Sequence, residues 1–157
     1  MVFKNNKHVV NKLSQLIYVS HTQEDTTLED ILSILKISRY NNSRDNISGL
    51  LIYDKEIFLQ ALEGDRSAVE RCYERIIRDA RHGAPYIVWQ GDLKKRLFPM
   101  WSMGYCTPSD LNDDDKKSLL ALTNLIAKDV RSVGSDLLIS VLVRVFFGGP
   151  KVKVICN

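Results

Sequence analysis

The stretch "NISGLLIYDKEIFLQALEGD", Asn46 to Asp65, holds two apolar runs, Ile47–Tyr53 and Ile57–Leu62, joined by Asp54-Lys55-Glu56. Apolar runs of this length, bounded by turn residues, read as buried strands, and so short a connection makes them antiparallel neighbours. The second run is apolar but for one amide, Gln60. A buried amide without partners costs about 1–3 kcal/mol. The fold therefore has to bring a polar group to Gln60.

Upstream, "QLIYVS" (Gln15–Ser20) reads as a strand, preceded by a polar arm over residues 1–14. "LEDILSILKISR" (Leu28–Arg39) places Leu28, Ile31, Leu32, Leu35 and Ser38 at helical spacing, with Thr26 or Thr27 as N-cap. Asn41 and Asn42 close that helix within the turn-rich "YNNSRDN". Downstream, a second helix runs from Asp65 to His82, capped by Asp65 or Ser67, with Val69, Cys72, Tyr73, Ile76 and Ile77 as its apolar stripe. Gly83 and Pro85 end it. "YIVWQGDL" (Tyr86–Leu93) is a fourth strand and "PMWSMGYC" (Pro99–Cys106) a fifth.

The order β-α-β-β-α-β plus one strand predicts an α+β, ferredoxin-like fold with both helices on one sheet face. The other face needs a cover. The tail supplies a helix starting near Asp110 or Asn112, whose Asp113-Asp114-Asp115 run suits a helix N-terminus. It also supplies an apolar segment, Leu137–Phe147, expected to cover the sheet or to form an interface. The expected organisation is an arm (1–14), a domain (15–107) and a C-terminal helical extension (108–157).

The 157 residues are 45% hydrophobic and 26% charged, an ordinary globular balance. A net charge of +3, with the basic run "LKKRLF" (Leu93–Phe98) short, gives no nucleic-acid footprint. Cys72, Cys106 and Cys156 are far apart and form no C-x-x-C, so they read as free thiols in a reducing compartment. There is no apolar segment long enough to span a bilayer, and the expected localisation is cytoplasmic. Dinucleotide and P-loop glycine motifs are absent, and His8, His21 and His82 stand apart, so no metal is expected. Some ferredoxin-like folds hydrolyse acyl phosphates with an arginine after the first strand; here "VSHTQEDTT" has none. The chain is not expected to be an enzyme.

Polar groups on apolar elements remain: Tyr18 on the first strand, Asn41 and Asn42 at the first helix end, and Gln60 on the third strand. Trp101 and Met103 lie two apart on the expected fifth strand and so share a face. In a ferredoxin-like sheet the first and third strands are central neighbours, so Tyr18 and Gln60 can touch on the helix-covered face. Asn42 comes near, and Ile31, Leu35, Ile57, Leu59 and Ile76 would line a flat slot. A planar heteroaromatic ligand with a polar edge suits such a slot.

The blocks "LIYVS", "SRYNNSRDNISGLLIY", "FLQALEGDRSAVERCYERIIRDARH" and "FPMWSM" resemble, in order and spacing, those of the BLUF domain, a blue-light sensor that binds FAD. The resemblance covers about residues 15–106. It implies that Tyr18 gives an electron and proton to excited flavin, and that Gln60 bonds both the tyrosine and the flavin N5/O4 edge. It implies that Asn42 fixes the O4/N3 edge, that Ser38, Asn41, Arg81 and His82 lie near the ring or its ribityl-phosphate arm, and that Trp101 and Met103 form a mobile pair beside the glutamine. FAD is the implied cofactor, with FMN or riboflavin as possible substitutes. Ser48 stands where the family commonly has threonine. A downstream signalling protein and a homo-oligomer are the expected partners. The alternatives are a flavin-free, light-insensitive interaction module, or the sensor piece of a light-regulated enzyme.

Overall fold

The computed structural model describes residues 12–23, 25–129, 131 and 136–137. Most of the expected arm and nearly all of the apolar segment Leu137–Phe147 lie outside them. The elements are β1 (Leu13–His21), α1 (Leu28–Arg44), β2 (Ser48–Asp54), β3 (Ile57–Asp65), α2 (Arg66–Arg78), β4 (Tyr86–Asp92), β5 (Gly104–Cys106) and α3 (Asp113–Asp129). The sheet order is β4-β1-β3-β2-β5. All neighbours are antiparallel except β2 and β5, which run parallel. This is the expected ferredoxin-like α+β arrangement with a fifth strand.

Strand alternation divides the core in two. Leu16, Tyr18, Phe58, Leu62 and Met103 pack with Ile34, Leu35 and Val69 of α1 and α2. Ile17, Val19, Leu50, Ile52 and Leu59 pack on the other face with Leu119, Leu122 and Ile126 of α3. The tail helix thus covers the far face, and Thr123 Oγ1 on α3 donates to Asp54 Oδ2 on β2 at 2.6 Å. Asn112 Oδ1 accepts the Asp115 amide at 2.9 Å and caps α3. Among the described residues no helix is long and apolar enough to cross a membrane.

Several boundaries differ from the sequence expectation. β1 begins at Leu13, two residues inside the expected arm. α1, capped by Thr27 in a reciprocal capping box with Asp30, continues five residues past Arg39. The turn-forming "YNNS" stays helical, because Asn42 faces inward and is buried, while the true stop is Asp45 followed by Asn46 at φ 53°. The inward face of α1 is Ile31, Ile34, Leu35 and Asn42; Leu28 and Leu32, expected inside, are exposed. On α2, which ends at Arg78, Ile77 is likewise exposed.

The β2–β3 connection is tighter than "DKE" suggested. Asp54 pairs with Ile57, which leaves Lys55 and Glu56 as the loop, at φ 45° and 67°. Both central residues at positive φ make a type I′ turn, whose twist matches the strands but which prefers Asn-Gly. Nearby, Gly49 on β2 lies so close to β3 that a Cβ there would overlap the Ala61 carbonyl oxygen. Gly49→Ala is expected to destabilise the fold by about 2 kcal/mol or more, since a backbone atom must move; urea unfolding midpoints measure it.

Candidate functional site

The register of β1 and β3 places Tyr18 directly opposite Gln60. Both side chains point to the α1/α2 face, and the Tyr18 hydroxyl donates a hydrogen bond to Gln60 Oε1. Gln60 Nε2 donates to Met103 Sδ at 3.3 Å. The amide of Gln60 therefore has a partner on each side, a phenol and a thioether. The Tyr18 ring is fully buried, 5.5 Å from the Tyr73 ring and 6.4 Å from the His82 ring.

Gln60 also forms the floor of a groove between α1 and α2. Its walls are Ile34, Ile37, Ser38, Asn41 and Asn42 from α1, Cys72, Arg75 and Ile76 from α2, and Asp79, Arg81 and His82 beyond α2. The groove holds about 610 Å³ of empty space, its open mouth included. Asn42 Nδ2 donates to the Ser102 carbonyl at 2.7 Å, and its Oδ1 accepts from the Cys72 thiol at 3.6 Å. Ser38 and Asn41 make no side-chain hydrogen bond to protein among the described residues, so their polar atoms are available to a ligand.

Burial pushes the Tyr18 hydroxyl well above the ordinary tyrosine range, with smaller contributions from Cys72, Tyr73 and Asp79. Tyr18 is thus firmly protonated and a donor. Burial also lowers His82, against the attraction of Asp79, so the imidazole is neutral near pH 7; its Nδ1 lies 3.2 Å from Ser20 Oγ. The two cations at the groove are already neutralised. Arg81 pairs with Asp79 through Nε and Nη2, and Arg75 Nη2 meets Asp45 Oδ2 at 2.8 Å. Among the described residues no group of three or more His, Cys, Asp or Glu could hold a metal.

The family model for "Sensors of blue-light using FAD" matches residues 13–104. The chain belongs to the BLUF family. Its relatives include a photoactivated adenylate cyclase subunit beta of Euglena gracilis, 30% identical over 96 residues, which covers 60% of this chain and 11% of the cyclase subunit. Another is the blue light- and temperature-regulated antirepressor BluF of Escherichia coli K12, 33% identical over 70 residues, covering 45% of this chain and 17% of BluF. The chain thus matches only about a tenth to a sixth of the length of these relatives. Among solved structures, the photo-activated state of BlsA superposes with a TM-score of 0.71 at 26% identity, over 88% of this chain and 97% of BlsA. A bacterial light-regulated adenylyl cyclase gives a TM-score of 0.70 at 28% identity, over 81% of this chain and 38% of the cyclase.

The structure brings Ser38, Asn41, Asn42, Gln60, Arg81 and His82 to the groove. Tyr18 does not line it but lies behind Gln60. Three expectations need correction. Ile31 and Leu35 are buried in the core beneath α1 and do not line the groove. Ile57 and Leu59 belong to the α3-facing core, because they alternate with Gln60 along β3. Trp101 and Met103 do not share a face: β5 starts only at Gly104, and the backbone bends at Ser102 and Met103. Met103 is buried on the groove side, whereas Trp101 packs on the far core, stacked on Phe98 at 6.1 Å. The space above Gly104 takes that ring, since a Cβ at Gly104 would lie 2.9 Å from it.

Sequence reasoning missed Ile34, Ile37, Arg75 and Asp79 as groove residues. Part of the signal was there: Cys72, Arg75 and Ile76 recur at three- and four-residue steps on one face of α2, and Asp79 follows its end.

The groove suits a flavin. Ile34, Ile37 and Ile76 would give such a ring apolar surface, and Gln60, Asn42, Asn41 and Ser38 could bond its polar atoms.

Proposed function

We propose that this BLUF chain is a blue-light photoreceptor that holds FAD in the α1–α2 groove and uses the Tyr18–Gln60 pair as its switch. The observation that carries the reading is a single amide that is both groove floor and hydrogen-bond partner of a buried phenol. Ser38, Asn41, Asn42 and Gln60 would hold the ring edge, with Arg81 and His82 toward the arm. Bound flavin supplies the chromophore and, under blue light, a strong oxidant.

Tyr18 is the residue that can yield an electron together with its proton, and recover both as the cycle closes. Its hydroxyl already points its proton at Gln60 Oε1. The amide carries an acceptor on one side and two donors on the other. Turning or tautomerising it exchanges what Tyr18, Met103 and the groove each face. Gln60 is thus a two-position element with a local trigger. Its neighbour Met103 leads directly into β5, so the output route runs from Gln60 through the 101–103 segment and β5.

The output acts on a separate signalling protein, on self-association, or on an effector domain. Relatives named as cyclases and as an antirepressor support an effector beyond the sensor.

The cofactor assignment is tested by titrating flavin-free protein with FAD, FMN and riboflavin and following quenching of flavin fluorescence. All three are expected to bind, riboflavin within about tenfold of FAD, because Arg75 and Arg81 are already paired with carboxylates and grip a phosphate weakly. No quenching by any flavin would refute the reading. Asn42→Ala removes an edge amide and its bond to Ser102, and is expected to weaken FAD binding about tenfold in the same titration.

A further inference from the structure

The carbonyls of three successive residues before β5 are each held by a different donor. The Gly49 amide donates to Trp101 O at 3.0 Å. Asn42 Nδ2 donates to Ser102 O at 2.7 Å. Arg39 Nε donates to Met103 O at 3.0 Å. Only the first is a main-chain bond; the other two are side chains of α1 reaching across to the segment beside Gln60.

Arg39 is unusual among these donors. It makes no ion pair among the described residues and spends its charge on a backbone carbonyl. Its Nη2 is buried without a hydrogen-bond partner. A buried donor of a charged group left unpaired is costly, and calls for an explanation. Guanidinium geometry offers one. Nε–H and one N–H of Nη2 lie side by side on one edge, a fork that takes two acceptors. In this structure only one tooth of the fork is used.

We propose that Arg39 is a positioning residue of the light switch: Nε seats the Met103 carbonyl, and the unused Nη2 is the second anchor on which the Ser102–Met103 segment re-seats when Gln60 turns. The inference rests on the reading of Gln60 as the switch. Met103 Sδ accepts from Gln60 Nε2 at 3.3 Å, so a turned amide withdraws that donor and frees the Met103 side chain. The backbone of the same residue is what Arg39 grips. A small shift toward Nη2 satisfies the orphan donor and moves the first residue of β5, Gly104, with it. Arg39 does not line the groove, so its action on flavin is indirect.

The test uses the FAD-loaded full chain and two variants, Arg39→Ala and Arg39→Lys. Three readouts are taken: the light-induced red shift, the rate of dark recovery, and hydrogen exchange of the amides of residues 101–106 in light and dark. The wild type is expected to show a red shift and a light-dependent change in exchange. Arg39→Ala is expected to keep the red shift, to recover about tenfold faster, the equivalent of one charge-assisted hydrogen bond lost from the lit arrangement, and to lose the exchange change. Arg39→Lys keeps a donor for Met103 O but has no fork; it is expected to restore dark-state protection and still show no light-dependent change. Wild-type recovery and exchange in Arg39→Ala would overturn the proposal. So would wild-type behaviour of Arg39→Lys, which alone decides if Arg39→Ala fails to fold. Absence of a red shift in the wild type would instead sink the switch reading on which the proposal stands.

Discussion

Gln60→Leu is expected to leave flavin bound and to abolish the light-induced red shift of its absorption. Leucine matches the glutamine in bulk but offers neither donor nor acceptor. The groove keeps its apolar walls and the amides of Asn41 and Asn42, so binding survives. What disappears is the element whose hydrogen bonds can be exchanged between Tyr18, Met103 and the groove. The Tyr18 hydroxyl loses its acceptor while fully buried, at a cost of about 1–3 kcal/mol in stability. The difference spectrum under blue light reports the first effect, and thermal unfolding of the flavin-free protein the second. A red shift of wild-type size in Gln60→Leu would mean that the switch lies elsewhere.

Tyr18→Phe is the second large effect, and it separates trigger from switch. Phenylalanine fills the same buried space, and the ring contact with Tyr73 is preserved. It has no hydroxyl to hold a proton and no readily removed electron. Flavin binding is expected to stay within about threefold of wild type, because Tyr18 is not a groove residue and only its bond to Gln60 is lost. The red shift is expected to vanish, and flavin fluorescence to rise, since the quenching donor is gone. Tyr73, 5.5 Å away ring to ring, is the nearest candidate to substitute as donor. A residual photocycle in Tyr18→Phe that disappears in a Tyr18→Phe/Tyr73→Phe double variant would move the donor role to Tyr73 and refute the assignment to Tyr18.

The sheet was legible because its strands carry their own signals. The two apolar runs around Asp54 read as a buried hairpin, and β-α-β-β-α-β order with right-handed crossovers points to the ferredoxin-like arrangement. Tyr18 and Gln60 could be paired in advance because both lie on regular strands at central positions, where alternation holds. Trp101 and Met103 could not, because the rule was applied to a segment that is not a strand. "PMWSMGYC" has strand-like apolar content, but the carbonyls of Trp101, Ser102 and Met103 are held by Gly49, Asn42 and Arg39, all distant in sequence. Those bonds bend the backbone and send the two side chains to opposite cores.

The length of α1 was illegible for a related reason. "YNNS" has turn propensity, and only the tertiary partners of Asn42, which are Cys72 and Ser102, make it favourable to keep that amide on a buried helical face. Local preference lost to a network no window of sequence contains. The same holds for Arg39, whose acceptor lies 64 residues away.

The most direct test of the Tyr18–Gln60 switch is one spectrum, the absorption of the FAD-loaded wild-type protein before and after blue light. The Tyr18–Gln60 switch predicts a small red shift of the flavin bands, with the flavin still oxidised, that reverses fully in the dark. Bound flavin that keeps its dark spectrum under illumination, or bleaches without recovery, would contradict it.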